Sequence, residues 1–385
     1  VPSPTLTSLA TAARNAWAIS PLGDGIEGYD GLPAEVVADA PHRRLVRYRR
    51  TTPATTARPV LLVPPLAVST RCYDLRPGQS LVAHLLERGH DTWLVDYGDI
   101  TFADRGMGFE DWIDDIIPGA VRTVSEAHGG AGVDIVAWSL GGTMSLLMAA
   151  SHPDLPVSSI TAFGTPIDYS KNPAVQGFAL ADKYLGTWLT TLPTAAMGGV
   201  PRHLVRTSYR AMAPKRELTK ALYLARNILD PETLGRTEAV DDFISAMPGY
   251  PGRAYNQMHS RLFARNELAT GRVQLSRHRT VDLANVDTRV LFVGSRTDNI
   301  GPAACVRAGV DVVPGARYRA ADGLSHLGLV AGVRASEISW PLLDEFLAEE
   351  GDQPDGQWPW PAGASTRAGR NSASTSTTAP MNAPA

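Results

Sequence analysis

The chain has 385 residues, with 36 Lys and Arg against 39 Asp and Glu for a net charge of −3, which leaves room for one large α/β domain with an insertion or for two ordinary domains. That balance supplies no basic field to displace counterions from a nucleic-acid backbone, and Cys72 and Cys305 are too few for a four-cysteine zinc site or a disulfide framework. Nucleic acid is therefore excluded as a partner, no metal or cofactor is implied, and a reducing, cytoplasmic setting is expected.

The first twenty residues have no apolar stretch behind a basic start, and no run of about 18 apolar residues occurs, so neither a secretion signal nor a membrane span is expected. Charged residues make up 19% and apolar ones 44%, which suits an apolar substrate or contact with a lipid surface. Residues 1–40 lack periodicity and read as an amino-terminal extension. The ordered fold is expected to begin with Arg44 to Arg49, whose alternation fits a strand exposed on one face. Val60 to Val63, ended by Pro64-Pro65, and Thr92 to Val95, after a Gly89-His90 turn, read as buried central strands. Ile113, Ile116, Ile117, Ala120, Val121 and Val124 fall on one helical face, with a kink expected at Pro118. Val133 to Ala137 is a further strand, Thr143 to Ala150 a helix of small residues, and Ser158 to Phe163 and Val290 to Val293 are strands. Ile338, Leu342, Leu343 and Phe346 mark a closing helix.

This alternation predicts a mostly parallel sheet covered on both faces. Residues 41–166 form its first part and 281–350 its second. Between them, 167–280 is helical in tendency, with Tyr184, Trp188, Met197, Met212, Met247 and Met258 and few strand signals, and reads as an inserted helical cap. Residues 351–385 are rich in Gly, Ser, Thr, Ala and Pro and read as a disordered tail or linker.

The run Asp134-Ile-Val-Ala-Trp-Ser139-Leu-Gly-Gly142 is a strand, a tight turn holding one serine, and the start of a helix. It is the G-x-S-x-G nucleophile turn with Ala137 in place of the first glycine. Small residues are needed two positions before and after the nucleophile because strand and helix backbones approach closely there. A serine hydroxyl needs a base and an acid that orients it, in the chain order Ser, acid, His. Asp298 lies just beyond a late strand, and His326 follows in the loop Asp322-Gly-Leu-Ser-His326-Leu-Gly. Asp322 is the rival acid, less suited because it belongs to the histidine's own loop. Oxyanion donors are expected from the backbone N–H groups of Leu140 and of Leu66, with Ala67 equally available, since Pro64 and Pro65 have none to offer. Cys72 and Cys305 stand in no such turn and read as structural.

These stretches together resemble the catalytic subunit of polyhydroxyalkanoate synthases, nearest the two-subunit kind, from about Arg44 to Phe346. The resemblance is carried by Leu61 to Pro64 with Tyr73-Asp74-Leu75, Ser80-Leu81-Val82 with Gly89, Val95 to Gly98, Asp104-Arg105 with Glu110-Asp111-Trp112, Thr165 to Asp168, Asn266-Glu267-Leu268 with Gly271, and the Asp298 and His326 loops. It implies an α/β-hydrolase fold with Ser139 at the nucleophile position, Asp298 as acid and His326 as base. The chain departs from that family in two places: its nucleophile is Cys where Ser139 stands here, and it usually has His where this chain has Asn299.

A serine ester is a more committed intermediate than a thioester, and water commonly resolves it. The expected activity is thus a serine hydrolase, an esterase, lipase or thioesterase, acting on fatty-acyl or hydroxyacyl esters or thioesters such as acyl-CoA. The alternative is an acyltransferase of the synthase kind using hydroxyacyl-CoA, working as a homodimer or with a partner subunit.

Overall fold

The computed structural model describes residues 6–20, 22–50, 53, 55–56, 58–173, 175–177, 194, 196–211 and 214–349. In chain order its strands are β1 (Ala34–Ala38), β2 (Arg44–Tyr48), β3 (Val60–Val63), β4 (Thr92–Asp96), β5 (Val133–Trp138), β6 (Val157–Phe163), β7 (Gly199–Val200), β8 (Tyr250–Pro251), β9 (Arg272–Ser276), β10 (Arg279–Asp282), β11 (Arg289–Gly294) and β12 (Arg317–Ala320). Eight form one sheet in the order β1-β2-β4-β3-β5-β6-β11-β12. From β4 to β12 every neighbouring pair is parallel, whereas β2 runs antiparallel to both β1 and β4.

The central strands read as unbroken apolar runs because both faces of the sheet are covered. Leu61, Val63, Ile135 and Ala137 pack into one core, and Val60, Leu62, Val136 and Trp138 into the other, the period of two expected of a pleated strand. The helix Leu140–Ser151 is buried on every side from Leu140 to Ala150, which explains why it has no polar face. It is flanked by the helical segment Phe109–Ala127 on one side and by β10 on another. In that segment Ile113, Ile116, Ile117, Ala120, Val121 and Val124 are all buried. Pro118 lies inside this continuous helical run, directly after a π turn at Trp112–Ile116, so the departure from α geometry falls just before the residue that lacks an N–H.

The structure differs from the sequence reading at two points. Ordered structure begins before Arg44: a helix spans Leu6–Ala18, and β1 pairs with β2 to make the sheet edge. All five β1 residues are exposed, so no buried face imposed a readable alternation. The segment between β6 and β11 contains the helices Arg202–Ala211, Pro214–Arg226 and Pro231–Ser245, but also the hairpin β9–β10, with Val273, Leu275 and Val281 turned inward. Met247 and Met258 are buried there and Met197 is exposed; Tyr184, Trp188, Met212 and the 351–385 tail lie outside the described residues. Among the described residues no helix is long and apolar enough to cross a membrane.

Candidate active site

β5 outruns β3: Val63 pairs with Ala137, Trp138 is the last strand residue, and the chain then turns into the helix that starts at Leu140. Ser139 occupies that turn at φ 52° and ψ −125°, a backbone conformation unfavourable for a residue with a Cβ. Its N–H donates to Phe163 O at 2.8 Å, and its carbonyl accepts from Gly142 N and from Thr165 Oγ1, both at 3.0 Å. The two following glycines are required by close approach. A Cβ on Gly141 would lie 2.4 Å from Val63 O, and one on Gly142 would lie 2.1 Å from Thr165 Oγ1. Ala137, in place of the usual first glycine, is accommodated within the buried strand.

Asp298 and His326, predicted 28 positions apart, meet directly. His326 Nδ1 donates to Asp298 Oδ2 at 2.7 Å, with both side chains buried. A carboxylate only accepts, so Nδ1 carries a proton, and Nε2 is a buried atom with no hydrogen-bond partner among the described residues. The other carboxylate oxygen of Asp298 accepts from Ile300 N and Gly301 N, each at 2.8 Å. Burial pushes the Asp298 carboxyl up, but the His326 charge and hydrogen bond and the Gly301 and Ile300 N–H groups outweigh it and hold the group below the ordinary aspartate value. Asp322 serves elsewhere: it accepts from Arg296 N at 3.0 Å and from Arg296 Nε at 2.8 Å.

Three residues beside the imidazole and the serine turn were given no role at the site by the sequence. The Trp138 ring lies 4.9 Å from the His326 ring, and its Nε1 donates to His326 O at 3.1 Å. Gly164, at φ 54°, lies beneath the imidazole, and a Cβ there would come within 3.1 Å of His326 Nδ1. Thr165 braces the Ser139 carbonyl. The available signal was position: Trp138 precedes the serine, and Gly164-Thr165 directly follow β6.

The second backbone segment at the site follows β3. Tyr73 Oη donates to Val63 O at 2.8 Å and Tyr97 Oη to Pro64 O at 3.0 Å, so two buried phenols fix the strand end before the Leu66-Ala67 turn. Leu66 is buried and Ala67 takes φ 57°. Because Gly141 packs against Val63 O and Pro64 O, the turns carrying Leu66 and Leu140 are neighbours. Leu140 opens its helix, so its N–H has no intrahelical acceptor. Beside this turn lies a cavity of about 280 Å³ lined in part by Leu66, Ala67, Tyr97, Trp112 and Pro248.

Cys72 and Cys305 are buried free thiols. Burial pushes Cys305 up to about 11 and Cys72 well above the ordinary thiol range, so neither is a thiolate near neutral pH. Among the described residues no cluster of His, Cys, Asp and Glu is suited to hold a metal ion. His42, His84, His128 and His152 each pair with a carboxylate other than Asp298, namely Asp104, Asp344, Asp91 and Asp114.

A serine on a strained strand-to-helix turn and a buried histidine–aspartate pair, on a mostly parallel eight-stranded sheet, define the class. A family model described as the alpha/beta hydrolase fold matches residues 60–330, and the chain belongs to that family. Among curated proteins it is similar to poly(3-hydroxyalkanoate) polymerase subunits PhaC. It is 28% identical to that of Allochromatium vinosum, covering 82% of this chain and 88% of that protein. It is 26% identical to that of Thiocystis violacea, covering 86% and 94%. Against the subunit of Haloferax mediterranei it is 24% identical over 83% of this chain, spanning 64% of that protein's length. Among solved structures, a putative lipase from Sulfolobus solfataricus shares the fold at a TM-score of 0.52 with 14% identity, covering 82% of this chain and 92% of that one.

Proposed function

We propose that the protein is an acyltransferase that carries a 3-hydroxyacyl group on Ser139 and passes it from a thioester to a hydroxyl acceptor. What carries the reading is the His326–Asp298 pair, whose unpartnered Nε2 fits general-base work, in a chain similar over more than four-fifths of its length to polymerase subunits. His326 Nε2 takes the Ser139 proton as Oγ attacks the thioester carbonyl. The N–H groups of Leu140 and of Leu66 or Ala67 stabilise the oxyanion. Collapse breaks the carbon–sulfur bond, and the thiol leaves with the proton from His326. The base then takes the proton of the acceptor hydroxyl, whose oxygen attacks the Ser139 ester, and Ser139 recovers its proton on release. Asp298 remains ionised and holds the imidazole tautomer. The relatives' designation as subunits extends the proposal to a partner subunit or a second copy of this chain.

Hydrolysis is the second reading, favoured by one feature: the attacking atom is the oxygen of Ser139, where the family resemblance expects a cysteine. Water then replaces the hydroxyl acceptor in the second half-reaction. Incubating purified protein with 3-hydroxybutyryl-CoA and following CoA, free acid and oligomer by mass spectrometry separates the two. Serine-dependent oligomer is expected, and free acid alone would transfer the assignment to a hydrolase. Ser139→Ala and His326→Ala are each expected to lower kcat about 10⁴- to 10⁶-fold without loss of folding. Turnover retained in either variant would remove the site from both readings.

A further inference from the structure

The helix Pro214–Arg226 is built inside out. Two of its charged residues point toward the protein: Arg216 and Lys220 are part-buried and pair with Asp241 at 2.9 and 2.6 Å. Most of its apolar residues point away, Leu224 being half-buried. Leu218 is 85% exposed, and Leu222, Tyr223 and, just past the helix, Leu229 are about half exposed. Leu218, Leu222 and the exposed Ala221 and Ala225 fall at three- and four-residue spacing, which is one helical stripe. The helix Leu6–Ala18 repeats the pattern. Its one fully buried residue is polar, Asn15, and Leu6, Leu9, Ala13 and Trp17 face outward. The two are tied together, since Asn15 Nδ2 donates to Ile228 O at 2.8 Å.

Charge says what covers such a face. Residues 1–22 and 202–229 hold eight of the chain's 36 basic residues, two of them the Arg216 and Lys220 that pair with Asp241, and one of its 39 acidic ones, Glu217. Glu217 itself accepts from Arg216. Arg14, Arg202, Arg210 and Arg226 are exposed. A second copy docking by a two-fold axis would set this cationic surface against itself. An anionic surface satisfies both features, the apolar stripe entering the headgroup boundary and the arginines meeting lipid charge. Trp17 and Tyr223 are side chains suited to that boundary. We propose that the helices Leu6–Ala18 and Pro214–Arg226 form a docking surface for a bilayer containing anionic lipid. The surface is independent of the reaction assigned to Ser139.

Flotation of the full chain with phosphatidylcholine vesicles, with and without phosphatidylglycerol as about one third of the lipid, tests this directly. Binding is expected with the anionic vesicles and is expected to weaken as salt is raised. The pair Leu218→Glu and Leu222→Glu is expected to lower it at least about tenfold through the apolar term. Arg210→Glu with Arg226→Glu is expected to lower it by a similar factor and to flatten the salt dependence. Circular dichroism melts identical to the parent chain identify a folded variant. Absence of flotation, or equal flotation with neutral vesicles, would overturn the proposal. A change of oligomeric state in the leucine pair, measured by light scattering, would reassign the face to a second copy of the chain.

Discussion

At the scale of single residues, the choice between two carboxylates is decided by partners rather than by position in the chain. Asp322 is nearer His326 in sequence, yet both its oxygens are engaged by Arg296, whereas Asp298 sends one oxygen to the imidazole and the other to two backbone N–H groups. Asp298→Asn keeps the volume but can no longer impose the tautomer, and kcat is expected to fall about 10⁴-fold. Asp322→Asn removes only an exposed ion pair, and kcat is expected to change less than about threefold. Steady-state kinetics on the two variants side by side checks the assignment. Another aspartate reports on acid stability. Asp168 accepts from Ser170, Asn266 and Lys171; burial raises its pKa, but these bonds outweigh burial and hold it down at about 2. A carboxyl depressed in the folded state contributes stability in full above its unfolded value of 3.8 and loses it as pH falls toward about 2. Denaturation midpoints across that window are expected to fall less steeply in Asp168→Asn than in the parent chain.

At the scale of elements, the elbow depends on where a Cβ would meet backbone. Gly141→Ala would press a methyl onto the carbonyls of Val63 and Pro64, which cannot swing aside as a side chain would. The expected cost is about 1 to 3 kcal/mol in urea unfolding, with kcat lowered through displacement of Ser139. Gly119 meets nothing within 4 Å, and Gly119→Ala in its helix is expected instead to stabilise by about 0.5 to 1 kcal/mol. The contrast explains what the sequence made legible. The run around Ser139 could be read because close approach restricts residue type at several consecutive positions, and β3 and β4 could be read because burial on both faces leaves apolar runs. Exposed β1 left no such mark. Nor did the hairpin β9–β10, whose inward residues are only Val273, Leu275 and Val281. The pairing of Asp168 with Asn266 was out of reach for a different reason: 98 residues separate them, and only the tertiary fold brings the two resemblance stretches together.

At the scale of the whole molecule, the compact unit running to Glu349 closes on its own last residues. The Glu349 carboxylate pairs with Arg289 at 3.1 Å and with Arg317 at 2.5 Å, while Arg58 Nη2 donates to the carbonyls of Leu347 and Glu349. Arg58 also bridges to the buried Asp134 on β5 at 2.9 Å. The end of the unit is thereby tied to β11, β12 and the strand that delivers Ser139, at the strand ends opposite the nucleophile. Burial lowers the pKa of Arg289, so its neutralising partner matters more than that of a surface arginine. Glu349→Ala is expected to cost about 1 to 2 kcal/mol, less than a fully buried pair because these groups retain some solvent contact. A chain cut after Glu350 keeps every one of these bonds and is expected to retain the parent unfolding midpoint and turnover. If both proteins unfold at the parent midpoint, the closing contacts are not part of the cooperative unit. If only the shortened chain loses stability, residues beyond Glu350 contribute to the fold that positions Ser139.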